Sequence, residues 1–168
     1  MTITMYQASV PYLLRMLGNL KAILLKGAAH AEGKKFDTAV LFSERLAPDM
    51  LPLARQVQIA SDNAKGCAAR LAGIDPPKFD DHETTYPQLV ERIDKTVAFL
   101  KTLKPAQIDG SESRDIVLKF PNQTLTFKGL NYLTQFAIPN FTFHVVTAYN
   151  ILRHNGVDLG KADFLGRE

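Results

Sequence analysis

The chain has 168 residues, 46% of them hydrophobic and 22% charged, with 20 basic against 17 acidic side chains and a net charge of +3. That is enough for one domain, residues 1–168, with a full core. The basic residues are scattered, so the concentrated basic face of a nucleic-acid groove is not expected. No apolar segment reaches the roughly 20 residues needed to cross a bilayer. Met1–Gln7 lacks the basic region and apolar run of a signal peptide. A cytoplasmic protein with no membrane partner is the expectation. Cys67 is the only cysteine, so no intramolecular disulfide can form, and its alanine-rich surroundings mark it as a small buried hydrophobe.

The first helix should begin between Thr4 and Ser9. Val10, Leu13, Leu14, Leu17, Leu20, Leu24 and Ala28 recur at helical spacing, and Pro11 is tolerable in the first turn. Gly33 and Lys34-Lys35 end it. His30 sits in the last turn, where a histidine faces solvent or the helix dipole more often than a ligand. Thr38–Leu46 should form a short helix. Asp49 then caps the next long helix, with Pro52 in its first turn. Met50, Leu53, Ala54, Val57, Ala60, Ala64, Ala68 and Leu71 make its stripe, and so many alanines let a neighbour approach closely. Asp49, Gln56, Asn63 and Arg70 recur every seven residues along one edge of that stripe. They read either as a polar border between core and solvent or, for Gln56, as an inward position bracketed by Leu53 and Ala60.

Gly73 and Asp75-Pro76-Pro77 stop this helix. The linker to Thr85 is acidic and reads as solvated; Asp80, His82 and Glu83 are metal-capable residue types without a fixed spacing. A third helix runs from about Pro87 to Leu103, with Leu89, Ile93, Val97 and Leu100 facing the core and Glu91, Arg92, Asp94, Lys95 and Lys101 facing water. Period-two runs around Pro121-Asn122 predict a β-hairpin over about Arg114–Lys128. Two strands alone are marginal, so the hairpin should pack on the helices.

Gly129 to Gly156 reads as one long helix of roughly 40 Å. Leu130, Leu133, Ala137, Phe141, His144, Ala148, Ile151 and Leu152 share one face. Tyr132, Phe136, Phe143, Val146 and Tyr149 form a second apolar flank. A helix so apolar is buried from more than one side. The surplus rings Tyr132, Phe136 and Phe143 point to a symmetric homodimer that covers them. Pro139 should kink this helix. Asn155-Gly156 is its C-terminal cap, and Arg153 and His154 suit the negative helix end. Leu159, Phe164 and Leu165 dock the tail back onto the helices. The expected fold is all-α: an antiparallel up-and-down four-helix bundle with a small β-hairpin before the last helix.

The segments Leu46-Ala-Pro-Asp-Met50, Arg55-Gln-Val-Gln58, Ala64-Lys-Gly66, Pro139-Asn-Phe-Thr-Phe-His144, Tyr149–Val157 and Gly160–Gly166 cover much of the chain. In them it resembles a bacterial family, defined as a domain of unknown function, within the DinB-like superfamily of helical-bundle metalloenzymes. In metal-binding members a histidine on the second helix joins a His-x-x-x-His pair on the fourth. Two histidines four apart share a helical face and can hold one ion. An arginine nine residues after the last histidine precedes the helix end. Arg153 fits that arginine, which puts the last ligand on His144, the first of the pair on Asn140 and the second-helix ligand on Gln56. The resemblance thus implies a degenerate metal site of His144, Asn140 and Gln56, converging in the interior. Neutral carbonyl oxygens are poorer donors than imidazole for zinc or nickel, so a weakly bound divalent metal is the cofactor this set allows.

Two functions follow. One is a dimeric small-ligand binding or scaffold module with a relic pocket and an unknown small-molecule partner. The alternative is a metal- or histidine-dependent small transferase or hydrolase, thiol-transferase-like, with His144 as the catalytic residue.

Overall fold

The computed structural model describes residues 2–166. Among these the chain is mostly helical, with four helices of 17 or more residues. They are α1 (Met5–Lys34), α3 (Leu53–Ala72), α4 (Tyr86–Thr102) and α7 (Ile138–His154). Shorter helices accompany them: α2 (Thr38–Ser43), α5 (Pro105–Ile108), α6 (Gly129–Asn131) and α8 (Lys161–Leu165). No helix among the described residues is long and apolar enough to cross a membrane.

Local chemistry sets the helix ends. Thr4 accepts the Gln7 N–H, and the Gln7 side chain accepts the Thr4 N–H in return, a reciprocal cap that starts α1. Gly73, at φ +72°, ends α3 in the left-handed conformation that glycine adopts without strain. The cap expected from Asp49 is not made. Pro52 itself precedes α3, with no side-chain hydrogen bond there.

The expected up-and-down order is corrected by the pairs that meet across the helix seams. Gln56, Asn63 and Arg70 of α3 meet His144, Asn140 and Tyr132, so α3 runs opposite to the last helix. Lys21 of α1 pairs with Asp94 and Gly27 abuts Tyr86, so α1 runs opposite to α4. Tyr12 meets Thr142 and Gly27 abuts Leu152, so α1 runs with α7. It follows that α3 and α4 point the same way, and the order is up, down, down, up. The cause is the 73–85 linker. Extended at about 3.3 Å per residue, it can return along the roughly 30 Å of α3 before α4 starts. Asp81 beside Arg55 and Glu83 beside Gln58 mark its path back along α3.

The hairpin forms as expected. β1 (Asp115–Phe120) and β2 (Gln123–Lys128) pair antiparallel, with Ile116 opposite Phe127 and Leu118 opposite Leu125. Ile116 and Leu118 are buried, and the Phe127 ring lies 6.2 Å from Tyr132 and 5.4 Å from Phe136. Two of the three rings held to need a partner subunit are therefore packed within the chain, Tyr132 buried and Phe136 half-buried. The third, Phe143, is 56% exposed.

The irregularity expected at Pro139 takes the form of a π-helical stretch, Tyr132–Ala137, joining α6 to α7; the Ile138 N–H donates to the Leu133 carbonyl. A wide turn just before Pro139 eases its clash with the preceding turn. The extra residue it takes in rotates the face before it relative to the face after it. That is why Leu130, counted as a core position by simple periodicity, is exposed while Tyr132 is buried. At the other end Gly156 takes φ +86°. The tail returns to α1: the Asn19 amide donates to the Phe164 carbonyl and the Arg15 guanidinium to that of Leu165.

Arg92 corrects another expectation. It was placed facing water, yet it is 1% exposed. Its guanidinium binds Asp62 at 2.8 Å, Glu83 at 3.0 Å and Asp81 at 3.1 Å, and donates to the Asp80 carbonyl. The acidic linker is thus tied down by a buried cation instead of being freely solvated.

Candidate functional site

The site is built on the α3–α7 seam. Gln56 lies in the first turn of α3 and is 2% exposed; His144 lies on α7 and is 8% exposed. The inward reading of Gln56 is the one the fold realises, because Leu53, Val57 and Ala60 around it are all core. His144 Nδ1 and Gln56 Oε1 are 2.7 Å apart. The Gln56 Nε2 donates to the Leu51 carbonyl at 2.9 Å. A carbonyl can only accept, so this bond fixes which end of the carboxamide faces the imidazole. Oε1 then accepts, and His144 must donate from Nδ1.

Asn140 does not join them. Its Nδ2 donates to Asn63 Oδ1 at 2.9 Å. One turn of α7 separates Asn140 from His144, but Gln56 and Asn63 are two turns apart on α3, so each α7 residue meets a different partner. Further along, the Arg70 guanidinium donates to the Tyr132 hydroxyl. The heptad Gln56, Asn63, Arg70 is therefore a polar ladder facing the last helix. Sequence reasoning noticed the repeat but missed Asn63 as the partner of Asn140.

Burial lowers the His144 pKa below the usual histidine value, because the charged ring would lose hydration. Among the described residues no group bonds its Nε2. The buried side-chain atoms without a partner there are Asn63 Nδ2, Tyr86 OH, Arg92 Nε and Ser111 Oγ. Nε2 is not one of these, and His144 as a whole keeps 8% exposure. The exposed Phe143 ring stands edge-on to the imidazole at 5.3 Å.

As metal donors these residues are poor. Among the described residues no three His, Cys, Asp or Glu side chains gather closely enough to hold an ion. At the inherited position one imidazole stands with amides already engaged in protein hydrogen bonds. Zinc or nickel wants several imidazole or thiolate ligands, so the residues present do not fit such an ion. Cys67 offers nothing here: burial pushes its thiol up to about 12, which leaves it inert.

Residues 5–165 match the domain of unknown function DUF1993. The chain belongs to this family. It is also similar to a DinB family member protein from Shewanella denitrificans, known from a crystal structure. The two are 43% identical over 97% of this chain and 92% of that one, with a TM-score of 0.89. The family is thus a domain of unknown function within the DinB-like superfamily. No curated protein matches the chain.

Proposed function

We propose that this DUF1993 protein is a small-ligand binding or scaffold module, built on a DinB-like four-helix core whose metal pocket has become a set of internal hydrogen bonds. The observation that carries the reading is the use of the inherited ligand positions. Gln56 spends its carboxamide on His144 and Leu51, and Asn140 pairs with Asn63. His144 Nε2 is left as a lone acceptor. The test is elemental analysis of protein purified without a metal-binding tag, followed by zinc titration. Less than a tenth of an equivalent of metal, and no retention of added zinc through a desalting column, are expected. One equivalent of zinc, lost on His144→Ala, would overturn the reading.

A second reading has one observation in its favour. A neutral imidazole with Nδ1–H anchored and Nε2 open is arranged as a general base, which suits a small hydrolase or transferase. Any activity found should then vanish in His144→Ala. The homodimer proposed for this protein would use the face around Phe143, whose ring is 56% exposed. Light scattering should give a dimer at micromolar concentration and a monomer for Phe143→Ser; a monomeric wild type removes this part of the reading.

A further inference from the structure

The Gln56–His144 bond has a direction, and the direction limits what the site can bind. The Leu51 carbonyl accepts from Gln56 Nε2. Turning the carboxamide over would set Oε1 against that carbonyl, two acceptors facing each other in a buried position. The amide therefore presents Oε1 to the ring, and the imidazole proton sits on Nδ1. Above the usual histidine pKa of about 6.5 the ring is neutral, and Nε2 then carries a lone pair and no hydrogen. No group among the described residues bonds Nε2, and the exposed Phe143 ring lies against the imidazole with centroids 5.3 Å apart.

Resting on the binding-module reading above, we infer that this site accepts ligands only as hydrogen-bond donors. Gln56 is the positioning residue that locks the tautomer, and Nε2 meets a hydroxyl, thiol or ammonium group carried on an apolar body. Carboxylates and phosphates are excluded, because Nε2 has no proton to give them. The exclusion also separates His144 from the usual imidazolium anion site, in which both nitrogens donate.

The experiment is nitrogen-15 NMR of the histidine rings at pH 8, with His144 assigned through His144→Gln. Two probes of similar shape are titrated, phenol as a donor and benzoate as an acceptor. In the wild type Nδ1 should resonate as a protonated nitrogen and Nε2 as an unprotonated one. Phenol should shift Nε2 saturably, and benzoate should leave it in place. Gln56→Leu should give a mixture of tautomers. A wild-type ring protonated on Nε2 overturns the inference. So do benzoate moving Nε2 as much as phenol, phenol leaving it unmoved up to its solubility limit, or a Gln56→Leu ring with the wild-type tautomer. Should Gln56→Leu not fold, the wild-type spectrum and the two titrations still decide. Tightly held zinc would sink the binding-module reading while leaving the tautomer intact, so the two failures are distinguishable.

Discussion

Replacing Arg92 by Met tests whether a buried cation holds the acidic linker. Met keeps most of the apolar stem and removes the guanidinium. Lost are ion pairs to Asp62, Glu83 and Asp81, the bond to the Asp80 carbonyl, and a cation–π contact with Phe79 at 5.8 Å. Removing one partner of a buried pair costs about 3–5 kcal/mol when the other charge is stranded. Here the carboxylates are not fully stranded. Asp62 and Asp81 keep 41% and 38% side-chain exposure. Lys65 still pairs with Asp62, Arg55 with Asp81, and Gln58 with Glu83. The expected cost is therefore about 2 kcal/mol, read from urea melts at pH 7. Trypsin should also cut after Lys78 faster than in the wild type. The pH dependence adds a second check. Burial alone would raise the Asp81 pKa, but the Arg55 hydrogen bond and the charges of Arg92 and Arg55 outweigh it, so the carboxyl sits below its usual range. Glu83 behaves likewise, with burial outweighed by bonds from Gln58 and Arg92. A depressed carboxylate contributes stability above its unfolded pKa of about 4 and loses it as pH falls through the lower folded value. The gap between wild type and Arg92→Met should accordingly narrow below about pH 4. A loss under about 0.5 kcal/mol, with Lys78 cut no faster, would show that the linker docks without Arg92.

Gly27→Ala should lower the melting temperature, because an added Cβ would collide with the Tyr86 hydroxyl and overpacking costs about 1–3 kcal/mol. Tyr86→Phe removes a buried hydroxyl without a partner, so it should be neutral or stabilising, and it should rescue much of the Gly27→Ala loss. The folded His144 pKa lies below the unfolded one. Its contribution is therefore present above about pH 6.5 and lost as pH falls toward the folded value; the wild type should lose more stability between pH 7.5 and 5.5 than His144→Gln does, and equal losses would contradict this. Cys67 should resist a thiol reagent in the folded protein and react at once in urea, given its burial and raised pKa.

Periodicity made most of the core legible. Leu53, Val57, Ala60, Ala64, Ala68 and Leu71 are all buried as their spacing requires, since a helix has one way to hide such a stripe. Helix direction was not legible, because stripes say which face is buried and not which end is up. The length of the 73–85 linker held that information. Arg92 was misplaced because residue type was weighed over position: it lies three residues after Leu89 and four before Thr96, both buried. The excess of acid at Asp62, Asp80, Asp81 and Glu83 was the available hint of a buried cation. At the site, the family's ligand spacing and the inward bracket of Leu53 and Ala60 around Gln56 brought Gln56 and His144 together. Asn140 went elsewhere because a heptad on α3 and a four-residue step on α7 do not keep pace, and no count along one helix exposes that mismatch.

The parallel pairing of the first and last long helices governs how this chain can be made. Tyr12 and Thr142, 130 residues apart, share a hydrogen bond across that seam. During synthesis α1 leaves the ribosome with its parallel neighbour α7 untranslated for nearly the whole message. α3 waits as well, since α7 supplies its most extensive partner face. The native core should therefore close late and all together, after residue 154 has emerged, with the tail then fastening onto Arg15 and Asn19. Until then the apolar face of α1 stays exposed, the condition in which incomplete chains are most prone to aggregate.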